Sequence, residues 1–368
     1  MGVLDLLGRA NAWGAHLSES VRVVEPSPSR IQDVAGTSTS RLRERLAWDG
    51  LRYPIPPVAN RLPYMLGGLT FVGLVVLVGT GLVMDQFYDP TPLGAHDSVI
   101  YIMTQLPLGG WIRALHYWGA TVVLVSVFGH LYWVLWRRSY VRPRELTWLS
   151  GVLLLVLLFG LTFTGTVLRA DQEGTEALAH AVSGAELLGS AGAALSPEFA
   201  RSTTLLSRLH SAHVSGLPLL LLALLGGHFW LIRHHGIHSP EPKSSIFTRH
   251  LQRLSGYGLL LLAALGAIAL AFPPGLGFPG VEGIEVTKPF WPFLWIYTFE
   301  NTFGLWGMLL APALLFGFLL LVPLVDRRRP EDGGRPRWLF ALFNLFWALG
   351  VLALIYGAFA PVQQHIGM

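Results

Sequence analysis

The chain has 368 residues, of which 52% are hydrophobic and only 13% charged; a soluble domain runs nearer about 25% charged, so a polytopic membrane protein is expected. The net charge is +4 and cysteine is absent. That excludes disulfides, cysteine-ligated zinc or iron–sulfur clusters, thiol nucleophiles and thioether-attached haem, and nucleic acid is not an expected partner.

Residues 1–61 are polar and read as a cytoplasmic arm, with a short amphipathic helix near 40–49 lying on the membrane. Residues 1–30 carry charges throughout and lack an apolar core, so no cleavable signal peptide is expected. Seven apolar runs follow, near 62–84, 113–136, 146–168, 213–232, 254–272, 303–325 and 337–360, each bounded by charges, Pro or Gly. The fold class is therefore all-α integral membrane, with seven transmembrane helices. A polar stretch at 236–250 divides a four-helix block, residues 62–240, from a three-helix block, residues 250–368.

Basic residues set the orientation. The loop after the second run holds Arg137, Arg138, Arg142 and Arg144. The loop after the fourth holds Arg233, Lys243, Arg249 and Arg253, and the loop after the sixth holds Arg327, Arg328, Arg329, Arg335 and Arg337. The opposite loops are acidic. The positive-inside rule puts the N-terminus in the cytoplasm and the C-terminus outside, in a bacterial cytoplasmic membrane.

Four histidines carry the chemistry. The second run holds His116 and His130, 14 residues apart; the fourth holds His213 and His228, 15 apart. At 100° and 1.5 Å per residue, 14 steps return to within about 40° of one face, about 21 Å along the axis. Fifteen steps miss by about 60°, which a helix bend absorbs. Two such helices face to face make two bis-histidine sites at two depths, the axial ligation that iron porphyrin uses for electron transfer. Helix direction pairs His116 with His213 at the outer level and His130 with His228 at the inner level. His210 has no histidine 14 residues beyond it and is rejected as a ligand. The first run repeats glycine at Gly67 and Gly81, and the third at Gly151 and Gly165, again 14 apart. A flat macrocycle needs flanking helices without side chains at those depths.

These segments resemble the cytochrome b/b6 family of quinol-oxidising complexes. The resemblance rests on Gly110–His116 (Gly-Trp-Ile-Arg-Ala-Leu-His), Arg142–Trp148, Phe163–Leu168 with Asp171-Gln172, Arg208–His213 and His228–Ile237. The 15-residue spacing and the Tyr64–Gly68 start resemble the chloroplast and menaquinol-type branch, as though its four-helix and three-helix subunits were fused. The resemblance implies two haem b groups, a quinone or quinol of menaquinone type, a Rieske iron–sulfur protein or c-type cytochrome as partner, and a dimeric complex. It also implies that Arg113 and Arg208 pair with haem propionates.

Three departures qualify this. The family's outer site carries Pro-Glu-Trp-Tyr, whose Glu accepts the quinol proton; here Lys288–Pro292 reads Lys-Pro-Phe-Trp-Pro, with Phe290 in the place of the Glu. The remaining acceptors are Glu300, at the mouth of the sixth run, and Asp171, after the third. Arg169-Ala170 replaces the usual Pro-Trp, and Met65 stands where that branch often has a haem-attaching Cys, so no covalent haem is expected. His234, His235 and His238 are candidates for protonating quinone at an inner site, while Trp291, Trp295 and Tyr297 are candidates for lining the outer pocket. The first expectation is a quinol-oxidising subunit of a bc-like complex. The alternative is a haem b subunit that links the quinone pool to another periplasmic redox enzyme or multihaem cytochrome.

Overall fold

The structure, a computed structural model, describes residue 45, residues 48–326 and residues 337–366. The helix expected near 40–49 and the arginines at 327–335 lie largely outside the described residues. Two compact units are present, residues 1–53 and 54–368. Of the first, the described part includes a short turn, Trp48–Leu51. The second contains both helix blocks and the polar stretch at 236–250 between them.

Among the described residues, ten helices build the larger unit: α1 Leu62–Asp85, α2 Ala95–Thr104, α3 Gly109–Trp136, α4 Glu145–Val167, α5 Gln172–Leu187, α6 Leu205–His235, α7 Phe247–Ala271, α8 Leu294–Phe303, α9 Leu305–Val325 and α10 Arg337–Phe359. Seven of them (all but α2, α5 and α8) are long and apolar enough to cross a membrane. A helix satisfies its own backbone hydrogen bonds, and an unpaired peptide group in lipid would cost several kcal/mol. Many large side chains on these helices point outward, among them Val75, Leu82, Val125, Leu219, Leu259 and Leu349, as lipid contact demands. A two-residue ribbon, β1 Pro54–Ile55 with β2 Ser245–Ile246, pairs the lead into α1 with the lead into α7.

Helix α1 packs along α3, and α4 along α6. Helix α6 is one span with a wider π-type turn at Ala212–Gly216. Pro218 follows that turn and has no N–H to give. A π-type turn takes up one extra residue. The 15 residues from His213 to His228 thus cover the rotation that 14 cover on α3, and a local insertion replaces the expected bend.

The second helix group is tied to the first by an apolar cluster in which Trp148, Leu155 and Phe159 of α4 meet Leu319 and Val322 of α9 and Phe343 of α10. The buried Trp148 indole donates to the Leu319 carbonyl at 2.8 Å. Beside this seam Asp326 accepts from Arg138 Nε (2.9 Å) and Nη2 (2.8 Å) and from the Tyr140 hydroxyl (2.8 Å). Its side chain is 1% exposed. Removing one partner of such a buried pair costs about 3–5 kcal/mol. Asp326→Ala should therefore lower stability by about 3 kcal/mol, read as an earlier thermal midpoint of the detergent-solubilised protein; an unchanged midpoint would show the pair to be dispensable.

Candidate functional site

The four long-spaced histidines lie where the helices bring them together in depth. The His116 and His213 rings face each other with centroids 6.3 Å apart. The glycines of the neighbouring helices sit against the same rings. A Cβ placed on Gly81 would come within 3.3 Å of His116 Cε1, and one on Gly165 within 3.0 Å of His213 Cε1. At the other depth a Cβ on Gly67 would reach 3.0 Å from His130 Cε1, and one on Gly151 3.4 Å from His228 Cε1. Each glycine thus matches one histidine.

Three hydroxyls fix the ring orientation. Thr80, Thr164 and Ser150 lie 3.0, 2.9 and 2.8 Å from Nδ1 of His116, His213 and His228. Each hydroxyl already donates to a carbonyl of its own helix: Val76 for Thr80, Gly160 for Thr164 and Thr147 for Ser150. It therefore accepts from Nδ1–H, leaving the lone pair on Nε2. The signal was readable, because a hydroxyl residue directly precedes Gly81, Gly165 and Gly151. Leu66 precedes Gly67, and His130 Nδ1 has no hydrogen-bond partner among the described residues.

Around the His116/His213 pair lies a cavity of about 280 Å³, lined among others by Gly81, Arg113, Tyr117, Gly165, Arg169 and Phe290. The segment joining α7 to α8 reaches the cavity at Phe290. Arg113 donates to the Pro274 and Gly275 carbonyls at 2.7 and 3.2 Å, and Trp118 to that of Phe272 at 2.8 Å. Helix α5 holds the same segment. Asp171 accepts from Gly277 N, Gln172 from Val281 N, and Glu176 from Val286 N. The segment so held delivers Phe290 against Tyr117, ring centroids 5.2 Å apart.

The two sequence candidates for proton transfer are elsewhere. Asp171 is fully buried; it caps α5 through Gly174 N, binds Gly277 N and pairs with Arg169. Its carboxylate is committed to holding the α7–α8 segment and does not line the cavity. Glu300 lies within α8, not at the start of the sixth span, and its side chain turns from the cavity toward His180, 3.4 Å away. Burial raises its carboxyl to about 7; His180 lowers it and Glu285 adds to the rise. A further carboxylate near the site is Glu173, which, like Asp171, does not itself line the cavity. Its Oε2 accepts from Arg169 at 2.7 Å, its Oε1 has no hydrogen-bond partner among the described residues, and the carboxylate lies beside the Phe290 backbone. Burial pushes it above the ordinary glutamate range, outweighing Arg169. Its signal was the Arg169/Glu173 spacing of four in the segment that departs from the family pattern.

Arg208 lies in the first turn of α6. Its guanidinium donates to the Ala194 and Ser196 carbonyls (2.8 and 2.6 Å) and covers Phe199, outside the cavity. The first turn of α6 aims it at the preceding loop. His210 is held by Asp85 at 2.9 Å. His234 stacks on Trp230, the His235 carbonyl accepts from Arg144, and His238 Nδ1 lies 3.4 Å from that guanidinium. Trp291 donates to Thr121 and Trp295 to Pro292, while Tyr297 is bonded to Pro361; none of the three lines the cavity.

Residues 51–236 match the family model described as cytochrome b/b6/petB. A cytochrome bc complex cytochrome b subunit of Chlorobaculum thiosulfatiphilum is 31% identical over 337 residues, 84% of this chain and 76% of that one. The chain belongs to the cytochrome b family. Cytochrome b6 of Heliobacterium mobile is 38% identical over 203 residues, 53% of this chain and 94% of that protein. The menaquinol:cytochrome c reductase cytochrome b subunit of Geobacillus thermodenitrificans is 35% identical over 183 residues, 48% of this chain and 81% of that one. A solved structure titled hyperthermophilic respiratory Complex III shares the fold, with TM-score 0.72 and 24% identity over 88% of this chain and 91% of that one.

The residues of this cytochrome b fit the family's haem. A metal–imidazole bond is about 2.0 Å, and the ring centre lies about 1.1 Å behind the ligating nitrogen, so two imidazoles on opposite sides of one metal have centroids about 6 Å apart. The His116/His213 separation of 6.3 Å meets this. The cradle test follows from the glycines. Gly165→Val should push the His213 ring aside and lower the haem bound per chain in a pyridine haemochrome assay. Gly226→Val, at a position with nothing within 4 Å, should leave it unchanged.

Proposed function

We propose that this cytochrome b carries electrons across a bacterial cytoplasmic membrane through two haem b groups, one held by His116 and His213 and the other by His130 and His228. The facing imidazoles with their matched glycines carry this reading. Haem so held would supply one-electron transfer. The chain's own residues do the rest. Thr80, Thr164 and Ser150 hold three imidazoles in the tautomer that presents Nε2. Arg113, at the cavity wall with further N–H groups beyond those given to Pro274 and Gly275, would pair with a haem propionate.

A quinol, of menaquinone type as the name of the Geobacillus relative suggests, binds beside the His116/His213 haem, at the Phe290 edge of the cavity. Phe290 and Tyr117 close it with apolar surface. Glu173 takes over the proton acceptance that Phe290 cannot perform, its unpaired Oε1 lying behind that wall. The partner is a Rieske iron–sulfur protein or c-type cytochrome within a dimeric bc-like complex. The basic loops support a cytoplasmic N-terminus, an outer C-terminus and a His116/His213 level toward the outside. Phe290 favours the second reading, a haem b subunit serving another periplasmic redox enzyme or multihaem cytochrome.

His130→Ala or His228→Ala should remove one haem and leave the His116/His213 one bound, as counted by redox-difference spectra; a single haem in the unaltered protein would sink the two-site reading. Glu173→Gln should slow haem reduction by quinol by about 10²-fold or more, the scale of lost base catalysis. The base acts only when ionised and burial raises its pKa, so the rate should fall with decreasing pH above the ordinary glutamate range of about 4.3. Glu173→Gln should abolish that limb. Quinol-driven reduction insensitive both to Glu173→Gln and to outer-site inhibitors would favour the second reading.

A further inference from the structure

Three elements meet at a cluster separate from the haem cavity. His180 comes from α5, Glu300 from α8 and His365 from the segment beyond α10. One side-chain donor atom from each lies within 4.8 Å of the others. The His180 Nε2 to Glu300 Oε1 distance is 3.4 Å. Donors of a tetrahedral site with bonds of about 2.0 Å stand about 3.3 Å apart.

The donors are prepared and unspent. His180 Nδ1 lies 2.8 Å from the Glu176 carbonyl; donating there, it leaves its Nε2 lone pair facing the cluster. A carbonyl behind an imidazole is the usual outer support of a metal ligand. Neither ring nitrogen of His365 has a hydrogen-bond partner among the described residues, and neither has Glu300 Oε1. Both side chains are more than nine-tenths buried, at 6% and 5% exposed. Unpaired polar groups so deeply buried are costly. A fourth side chain, Glu285, stands 3.8 Å from His180 Nε2 and 3.6 Å from His365 Nδ1. It also accepts from the His365 and Ile366 backbone N–H groups at 2.9 and 2.7 Å, which fixes the tail at the cluster. Among the described residues the ion-pair partners of Glu285 and Glu300 are the histidines of the cluster itself.

We infer that His180, Glu300 and His365, with Glu285 beside them, form a site for a divalent metal of the zinc class that staples the segment beyond α10 and helix α8 onto α5. Two imidazoles and a carboxylate suit zinc, whereas the cysteine-free, nitrogen-rich set does not suit calcium or magnesium. The bond formed is coordinate only; no electron is transferred.

The test uses the full-length, haem-loaded protein in detergent, stripped with a chelator and dialysed against Zn²⁺. The unaltered protein should retain about one zinc per chain by elemental analysis, with an X-ray absorption shell of nitrogen and oxygen near about 2.0 Å. Its thermal midpoint should rise by several degrees in excess Zn²⁺. His365→Gln, which lies outside every helix, and Glu300→Gln should each drop retained zinc to near zero and abolish that rise while the haem spectrum is preserved. His234→Gln should retain the zinc. Failure of the unaltered protein to retain zinc overturns the site, as does zinc that persists undiminished in His365→Gln. Both readouts are independent of quinol oxidation, so their failure leaves the electron-transfer reading standing, and its failure leaves the metal site standing.

Discussion

A rigid planar ring between helices requires imidazole and empty space at the same height. This bundle sets an imidazole against a glycine at two heights. Glycine at 67, 81, 151 and 165 lets α1 and α4 approach the histidines of α3 and α6. The hydroxyl residue before three of those glycines turns the same short stretch of helix into a brace for the ring. A side chain at any of these glycines would meet an imidazole, which has nowhere to go in a packed bundle. The π-type turn at Ala212–Gly216 belongs to the same requirement, since it restores equal rotation on two helices whose histidines are unequally spaced.

The segment that brings Phe290 to the cavity is held by polar groups of α3 and of the start of α5. Asp171, Gln172 and Glu176 present oxygens to the backbone of the α7–α8 segment, and Arg113 and Trp118 grip its start. An irregular segment beside a membrane bundle must have its peptide groups satisfied, and buried carboxylates do so through charge-assisted bonds. The segment ends on Phe290, so the position at which the family carries its acceptor becomes apolar. A carboxylate from the adjacent helix, Glu173, stands behind it.

The three-helix group is joined to the haem bundle by a seam that is apolar at its centre and polar at one end. Trp148 bridges them with packing and a hydrogen bond, and Asp326 gathers Arg138 and Tyr140. At another edge of this group the segment beyond α10 returns to α8 and α5, with Tyr297 bonded to Pro361 and Gln363 and Glu285 to His365 and Ile366. The group therefore frames the cavity wall and the His180 cluster together.

The sequence by itself determined the seven apolar spans, the two histidine levels and their matching glycines, because hydropathy and helical period act within a single element and are written as spacing. The short helices α2, α5 and α8 escaped that reading, being too brief and too mixed in polarity to stand out from loops. Tertiary structure alone decided which polar side chains meet. It turned Arg208 to a loop and Asp171 to a cap. It sent Glu300 to His180 and His365, nearly two hundred positions apart in sequence, and it placed Glu173 beside Phe290. Those outcomes depend on the path of the α7–α8 segment and of the chain beyond α10, and that path is set by which peptide groups the buried carboxylates capture, a relation between distant elements that no local spacing records.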